Sequence, residues 1–152
     1  MQQLRTAAVS VLATLAVLGA LSAAKRPARE YYDLRTATTP DARPFSGAVR
    51  AGDTVYLSGT LGLDANRRAP DDPEAEARLV LDGLKSKLEQ AGMTMDDLVS
   101  VQIFCSDVAQ YEMFNRVYRT YFTKEYPARA FIGSGKLLFD ARFELQGVAV
   151  KR

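Results

Sequence analysis

Apolar and polar positions along the chain divide it into segments of different period. Residues 6–21 carry no charge and follow the short basic start Met1-Gln2-Gln3-Leu4-Arg5. Residues 25–43 are rich in charge, proline and threonine, which predicts a linker with an edge strand at 31–34. Two short β-patterned runs, 45–49 and 54–58, flank the turn-forming Arg50-Ala51-Gly52-Asp53 and predict a hairpin. Residues 61–71 contain the breakers Gly62, Asn66 and Pro70 and predict a loop.

The period then changes. Asp72 is placed to cap a helix, Pro73 suits its first position, and Glu74 and Glu76 complement the positive end of its dipole. Ala77, Val80, Leu81, Leu84, Leu88 and Ala91 follow as one stripe at helical spacing, and Gly92 ends it. Val99, Val101, Ile103 and Cys105 alternate with Ser100, Gln102, Phe104 and Ser106, which predicts a strand. Tyr111, Phe114, Tyr118, Tyr121 and Phe122 form the stripe of a second helix, closed by Lys124 and Pro127. Strands at 128–133 and 142–150 finish the chain; in the last, Phe143, Leu145 and Ala149 face one way and Glu144, Gln146, Val148 and Val150 the other.

The order β-β-α-β-α-β-β predicts an α/β (α+β) domain, a mixed sheet with two helices on one face. The uncovered face carries Phe104, Val148 and Val150, so the pattern also predicts self-association.

Composition narrows the chemistry. The chain of 152 residues has Lys+Arg 20, Asp+Glu 18 and His 0, a net charge of +2 that calls for no polyanionic partner and predicts no nucleic-acid binding. Without histidine, every Ser-His or Cys-His nucleophile and every His-ligated metal site is excluded, and acid–base work falls to Asp, Glu, Lys, Tyr or water. Cys105 stands alone and alternates with core positions, so packing is its expected role. The basic start, apolar run and Ser22-Ala23-Ala24 together predict a signal peptide over 1–24, cleaved before Lys25, and a periplasmic or secreted protein. The run is near membrane-spanning length, so an uncleaved segment would leave the protein anchored in a membrane. Domain organisation is then a signal at 1–24, a linker at 25–43 and one domain at 44–152.

Three stretches carry a resemblance. Arg43-Pro44-Phe45-Ser46-Gly47-Ala48-Val49, Val55-Tyr56-Leu57-Ser58-Gly59-Thr60, and Pro127-Ala128-Arg129-Ala130-Phe131-Ile132 with Phe143-Glu144-Leu145 resemble the RidA/YjgF family of enamine/imine deaminases. Asn115 within 114–122 and the helix end Leu88-Glu89-Gln90-Ala91-Gly92 are similar to it too, and the likeness runs from about Pro44 to Arg152. It implies a chorismate-mutase-like fold, a homotrimer with sites in the clefts between subunits, no cofactor and no metal. The family's functional arginine falls on Arg129, its glutamate on Glu144 and its Ser-Gly turn on Ser58 and Gly59; Phe45, Asn115 and Phe131 fall on positions that line the substrate. Departures are Phe45 for a common tyrosine, Thr60 for Gln, Gly62 for Pro, Gln146 for a second acid, and Phe131 for a small residue or cysteine, which predicts a narrower pocket.

Each candidate also has a plain structural reading. An arginine in a strand is ordinarily a solvated edge residue; as a planar fork, Arg129 would instead bind a carboxylate through two charge-assisted hydrogen bonds. Glu144 is either a surface ion-pair partner or a group that holds water and accepts its proton. Gly59 is either a flexible strand end or a place for close backbone approach, where a carbonyl could hold an amino group. Tyr111, Tyr118 and Tyr121 on a core stripe are expected to pack. Imine hydrolysis to a keto acid and ammonia fits Arg129 and Glu144. A non-catalytic or chaperone-like binding trimer is the alternative, and a ribonuclease sits poorly with the near-neutral charge and missing histidine.

Overall fold

Asp72 begins the first helix as the sequence predicts, its carboxylate accepting from the Glu74 and Ala75 amides at 3.1 and 3.2 Å. In the computed structural model, which describes residues 28–32 and 44–152, that helix is α1, Pro73–Gln90. Ala91 caps it and Gly92 leaves at φ 67°, a left-handed turn suited to glycine. The predicted signal segment, the site before Lys25 and residues 33–43 lie outside the described residues.

The strands are β1 (Arg29–Tyr32), β2 (Ala48–Ala51), β3 (Thr54–Leu61), β4 (Leu98–Cys105), β5 (Ala128–Gly133) and β6 (Phe143–Val150), and the second helix is α2 (Tyr111–Arg119). They form one six-stranded sheet in the order β1-β2-β3-β6-β4-β5, antiparallel except for the β4–β5 pair. An edge strand was expected at 31–34, and β1 lies two residues earlier. The hairpin pairs Ala51 with Thr54, so its turn is only Gly52-Asp53, with Gly52 at φ 64°. Its first arm therefore runs later than 45–49, while the second starts at Thr54 as expected and continues past Ser58 to Leu61. The second helix stops at Arg119, where the Thr120 hydroxyl donates back to the Val117 carbonyl at 2.7 Å. Tyr121 and Phe122 lie beyond it and still pack against the core.

Both helices cover one face. Ala77, Val80, Leu81, Leu84 and Leu88 of α1 are buried with Val55, Val101, Ile103, Leu145 and Ala149 of the sheet. Phe114 of α2 packs on Phe143 and Phe131, with ring centroids 4.8 and 5.7 Å apart. Cys105 is fully buried in this core, as expected. Val99 is not: Leu98 faces Ala149 and Ser100 faces Val148, so one extra residue bulges from β4 and Val99 is 47% exposed. The other face is left open, with Tyr56 53% exposed and a concavity of 410 Å³ between Val49, Tyr56, Ser58, Gln102, Gln146 and Val148.

One carboxylate ties the layers together. Glu76, read from sequence as an acid of the first helical turn, is fully buried. It accepts from the backbone amides of Arg142 and Phe143 (3.0 Å for the latter) and from the Arg142 guanidinium at 2.8 Å. That guanidinium also donates to the Pro70 and Asp71 carbonyls at 2.7 and 3.1 Å. Removing one partner of a buried pair leaves the rest uncompensated, so Glu76→Ala should cost about 3–5 kcal/mol. A urea titration should show a lower midpoint with unchanged slope; an unchanged midpoint would deny Glu76 this role.

Candidate functional site

The sequence-predicted residues gather into two groups. The first is built on a bulge in β3. Leu57 pairs with Gly147 and Thr60 with Leu145, leaving two residues of β3 against one of β6, so Ser58-Gly59 carries one residue without a partner. Glu144 of β6 turns to the open face, and its Oε1 lies where a side chain on Gly59 would have to be. Only glycine admits the carboxylate there. The Ser58 hydroxyl donates to the Ser46 carbonyl at 2.6 Å, which holds the segment carrying Phe45, itself 50% exposed, beside the bulge. The Glu144 carboxylate has no hydrogen bond or ion pair among the described residues.

The second group lies at the sheet edge. Arg129 and Phe131 of β5 sit opposite Val101 and Ile103, so both turn to the helix-covered face. Tyr111, Phe114, Asn115 and Tyr118 share one face of α2 by their spacing, and the three aromatic rings meet them there. The Arg129 guanidinium carbon is 4.8 Å from the Tyr118 ring centroid, 5.8 Å from Tyr111 and 6.0 Å from Phe131. Phe131 meets Tyr111 edge-on at 5.0 Å, so its bulk goes into this aromatic wall. Half-buried Arg129 has no carboxylate or hydrogen-bond partner among the described residues, and neither has the amide of Asn115, which is 5% exposed. A cation held over rings, with its N–H edges unclaimed, is ready for an anion.

Upstream of β5, Asp96 accepts from the Thr123 and Lys124 amides at 2.9 and 3.2 Å and from the Thr123 hydroxyl. The Thr123 hydrogen bonds hold its carboxyl below the usual range, and the contact anchors the segment that leads to Pro127.

Within one chain the two groups do not meet. Arg129 points to the helix face and Glu144 to the open face, two strands and three residues apart in register. Strand geometry puts their Cα atoms roughly 14 Å from each other. A planar three-carbon acid cannot span that distance through the sheet.

The sequence reading missed Tyr118 as the principal ring under Arg129, having assigned it to packing alone. It also missed Lys87, whose ammonium reaches the underside of the bulge, at 2.7 Å from the Thr60 hydroxyl. Long-range contacts of this kind leave no periodic trace.

The fold and these half-sites define a small mixed-sheet domain of the chorismate-mutase-like class. The Endoribonuclease L-PSP family profile matches residues 36–151, and the chain belongs to that family, the RidA/YjgF family of the resemblance. It is 38% identical over 114 residues to the 3-aminoacrylate deaminase RutC of Acinetobacter baylyi, covering 74% of this chain and 90% of that protein. It is 33% identical over 109 residues to a 2-iminobutanoate/2-iminopropanoate deaminase of Dermatophagoides farinae, covering 70% and 85%. The crystal structure of RidA from a Psychrobacter species superposes with a TM-score of 0.70 at 28% identity, over 78% of this chain and 98% of that one. The YjgF gene product of E. coli superposes at 0.68, also with 28% identity, over 78% and 100%.

Burial pushes the Tyr118 phenol up to about 12, against an opposing pull from Arg129. Its hydroxyl is buried without a hydrogen-bond partner among the described residues. The folded state therefore keeps this proton while the unfolded state loses it near pH 10, and stability falls between pH 10 and 12. Tyr118→Phe should melt at or above the wild-type temperature at pH 7 and lose less stability over that alkaline interval. Scanning calorimetry across the two pH values checks both halves.

Proposed function

We propose that this chain hydrolyses small carboxylate-bearing enamines and imines of the 2-aminoacrylate type to a keto acid and ammonia, without a cofactor, at sites completed between copies in a homotrimer. The observation that carries the reading is the pair of complementary, unpartnered half-sites: a planar cation on one face and a carboxylate over a bare glycine on the other. The open, partly apolar sheet face supports the assembly, because a second copy would cover it and could bring its Arg129 to Glu144. The names of the deaminase relatives support the chemistry.

In this reading Arg129 fixes the substrate carboxylate through two parallel hydrogen bonds, and the Tyr118 ring keeps the fork in place. The enamine tautomerises to the imine. Glu144 directs a water at the imine carbon and takes its proton; the carbon–oxygen bond forms as the carbon–nitrogen π electrons return to nitrogen. Glu144 passes that proton on to the nitrogen, which takes a second from solvent. The resulting carbinolamine then gives its hydroxyl proton to Glu144 as the carbon–nitrogen bond breaks with its electron pair on nitrogen, and the released ammonia takes this proton to become ammonium. Such hydrolysis already proceeds in water, so positioning and a modest electrostatic contribution suffice.

Arg129→Ala should lose affinity and turnover together, by about ten- to hundredfold, since hydrogen bonds to a charged group contribute about 1.5–3 kcal/mol. Glu144→Gln should still bind a keto acid in calorimetry while losing ammonia release from 2-aminoacrylate generated in place. Co-refolding the two variants should restore part of the activity, since mixed trimers contain clefts with both native residues. No restoration in a verified mixed trimer would put the two residues outside a shared cleft. A wild-type protein that binds the acid and never accelerates hydrolysis would instead be a binding module.

The uncharged run at 6–21 supports export, with the mature protein beginning at Lys25. Intact mass of the protein recovered from an envelope fraction should correspond to residues 25–152; a full-length species confined to membranes would reverse that reading.

A further inference from the structure

Lys87 lies in the last turn of α1, where a cation ordinarily complements the helix dipole from the surface. A lysine there can keep its ammonium in water by extending its stem. This one turns inward. Its Nζ is 2.7 Å from the Thr60 hydroxyl, 3.2 Å from the Ser58 carbonyl oxygen and 3.4 Å from that of Gly59. Thr60 is itself buried, its methyl fitted into the notch left by Gly83 of α1, where a Cβ would come within 2.8 Å. The helix therefore approaches β3 closely at the bulge and delivers a charge to two successive peptide groups.

We propose that Lys87 is a positioning residue of the Glu144 half-site, holding the Ser58–Gly59–Thr60 bulge so that the Gly59 N–H is presented on the side of Glu144. The bulge interrupts the β3–β6 register between Leu57 and Thr60, and there the ammonium, a donor with no acceptor capacity, reaches the carbonyls of both intervening residues, Ser58 and Gly59. In a planar trans peptide the N–H points opposite the C=O. With the Ser58 carbonyl drawn toward Lys87, the Gly59 N–H turns away from the helix, toward the face where Glu144 lies, while Thr60 resumes the pairing with Leu145 of β6. The same charge polarises these peptides and makes their N–H groups stronger donors. The carbonyls are thus committed to Lys87, and the bulge offers a donor, the Gly59 N–H, to a ligand rather than the carbonyl expected from sequence. This rests on the deaminase reading for its catalytic consequence. As the carbinolamine oxygen passes its proton to Glu144 and the carbon–nitrogen bond breaks, negative charge gathers on that oxygen, and the fixed Gly59 N–H beside Glu144 stabilises it.

The test compares Lys87→Met, Lys87→Arg and, as control, Lys85→Met, whose exposed ammonium pairs only loosely with Glu89 at 3.8 Å. Two readouts are taken on the assembled protein: the Gly59 and Thr60 amide resonances, and steady-state ammonia release from 2-aminoacrylate. Lys87→Met should move both amides and lower kcat by about tenfold with KM within about twofold, because Arg129 still binds the carboxylate. Lys87→Arg should recover most of the loss, and Lys85→Met should change neither readout. If Lys87→Met does not fold, Thr60→Val, which keeps the shape and removes the hydroxyl that accepts from Lys87, should show the same two effects more weakly. Unmoved amides or an undiminished kcat in the folded variant would overturn the proposal, as would a loss carried equally by KM. An inert wild type whose amides still move in Lys87→Met would sink the deaminase reading and leave the positioning role standing.

Discussion

The buried carboxylate of Glu76 is the contact on which the arrangement of this domain depends. A charge removed from water must be met on all sides, and Glu76 is met by two amides at the start of β6 and by the guanidinium of Arg142. Gly62 makes room, since a side chain there would strike the Glu76 backbone. The result fastens the first turn of α1, the loop at Pro70-Asp71 and the beginning of β6 at one point. Glu144 is two residues further on, so its place over Gly59 follows from where Glu76 pins the strand.

A second constraint acts from the far end of α1. Lys87 under the β3 bulge and Glu144 above it put opposite charges on the two sides of the same pair of peptides. The edge of the sheet is organised differently. There, aromatic rings from α2 carry the Arg129 guanidinium. Each charged group is held ready by contacts that do not neutralise it. Neither half-site completes the other across the sheet.

Much of the fold was legible because it rests on local rules. The α1 stripe, its Asp72 cap and its Gly92 exit depend on residues within a few positions of one another. So does the alternation of β6, and two helices of that length can shield only one side of a sheet. The errors fell where a local rule was overridden. Val99 continued an alternating pattern but was turned out by a bulge whose cause is the pairing of β4 with β6, fifty residues away. Tyr121 and Phe122 continued the second stripe, yet the helix ended at Arg119 and the two rings packed from beyond it; the Tyr121 hydroxyl donates to Asp82 of α1 at 2.8 Å.

The candidate site divides along the same line. The sequence by itself determined which chemistries were available: no histidine, one cysteine, an arginine after Pro-Ala, and a glutamate between two core positions. Together these left acid–base work to a carboxylate and anion binding to a guanidinium. It also determined that Arg129 and Glu144 lie in separate strands, each on a definite face, because side-chain direction alternates residue by residue. Only the tertiary structure decided that those faces are opposite ones, that Tyr118 supports the arginine, and that Lys87 reaches the bulge. These facts depend on strand order, on one inserted residue in β3 and on the approach of a helix to a sheet. Such relations are set by packing between segments distant in the chain, and no period along the sequence records them.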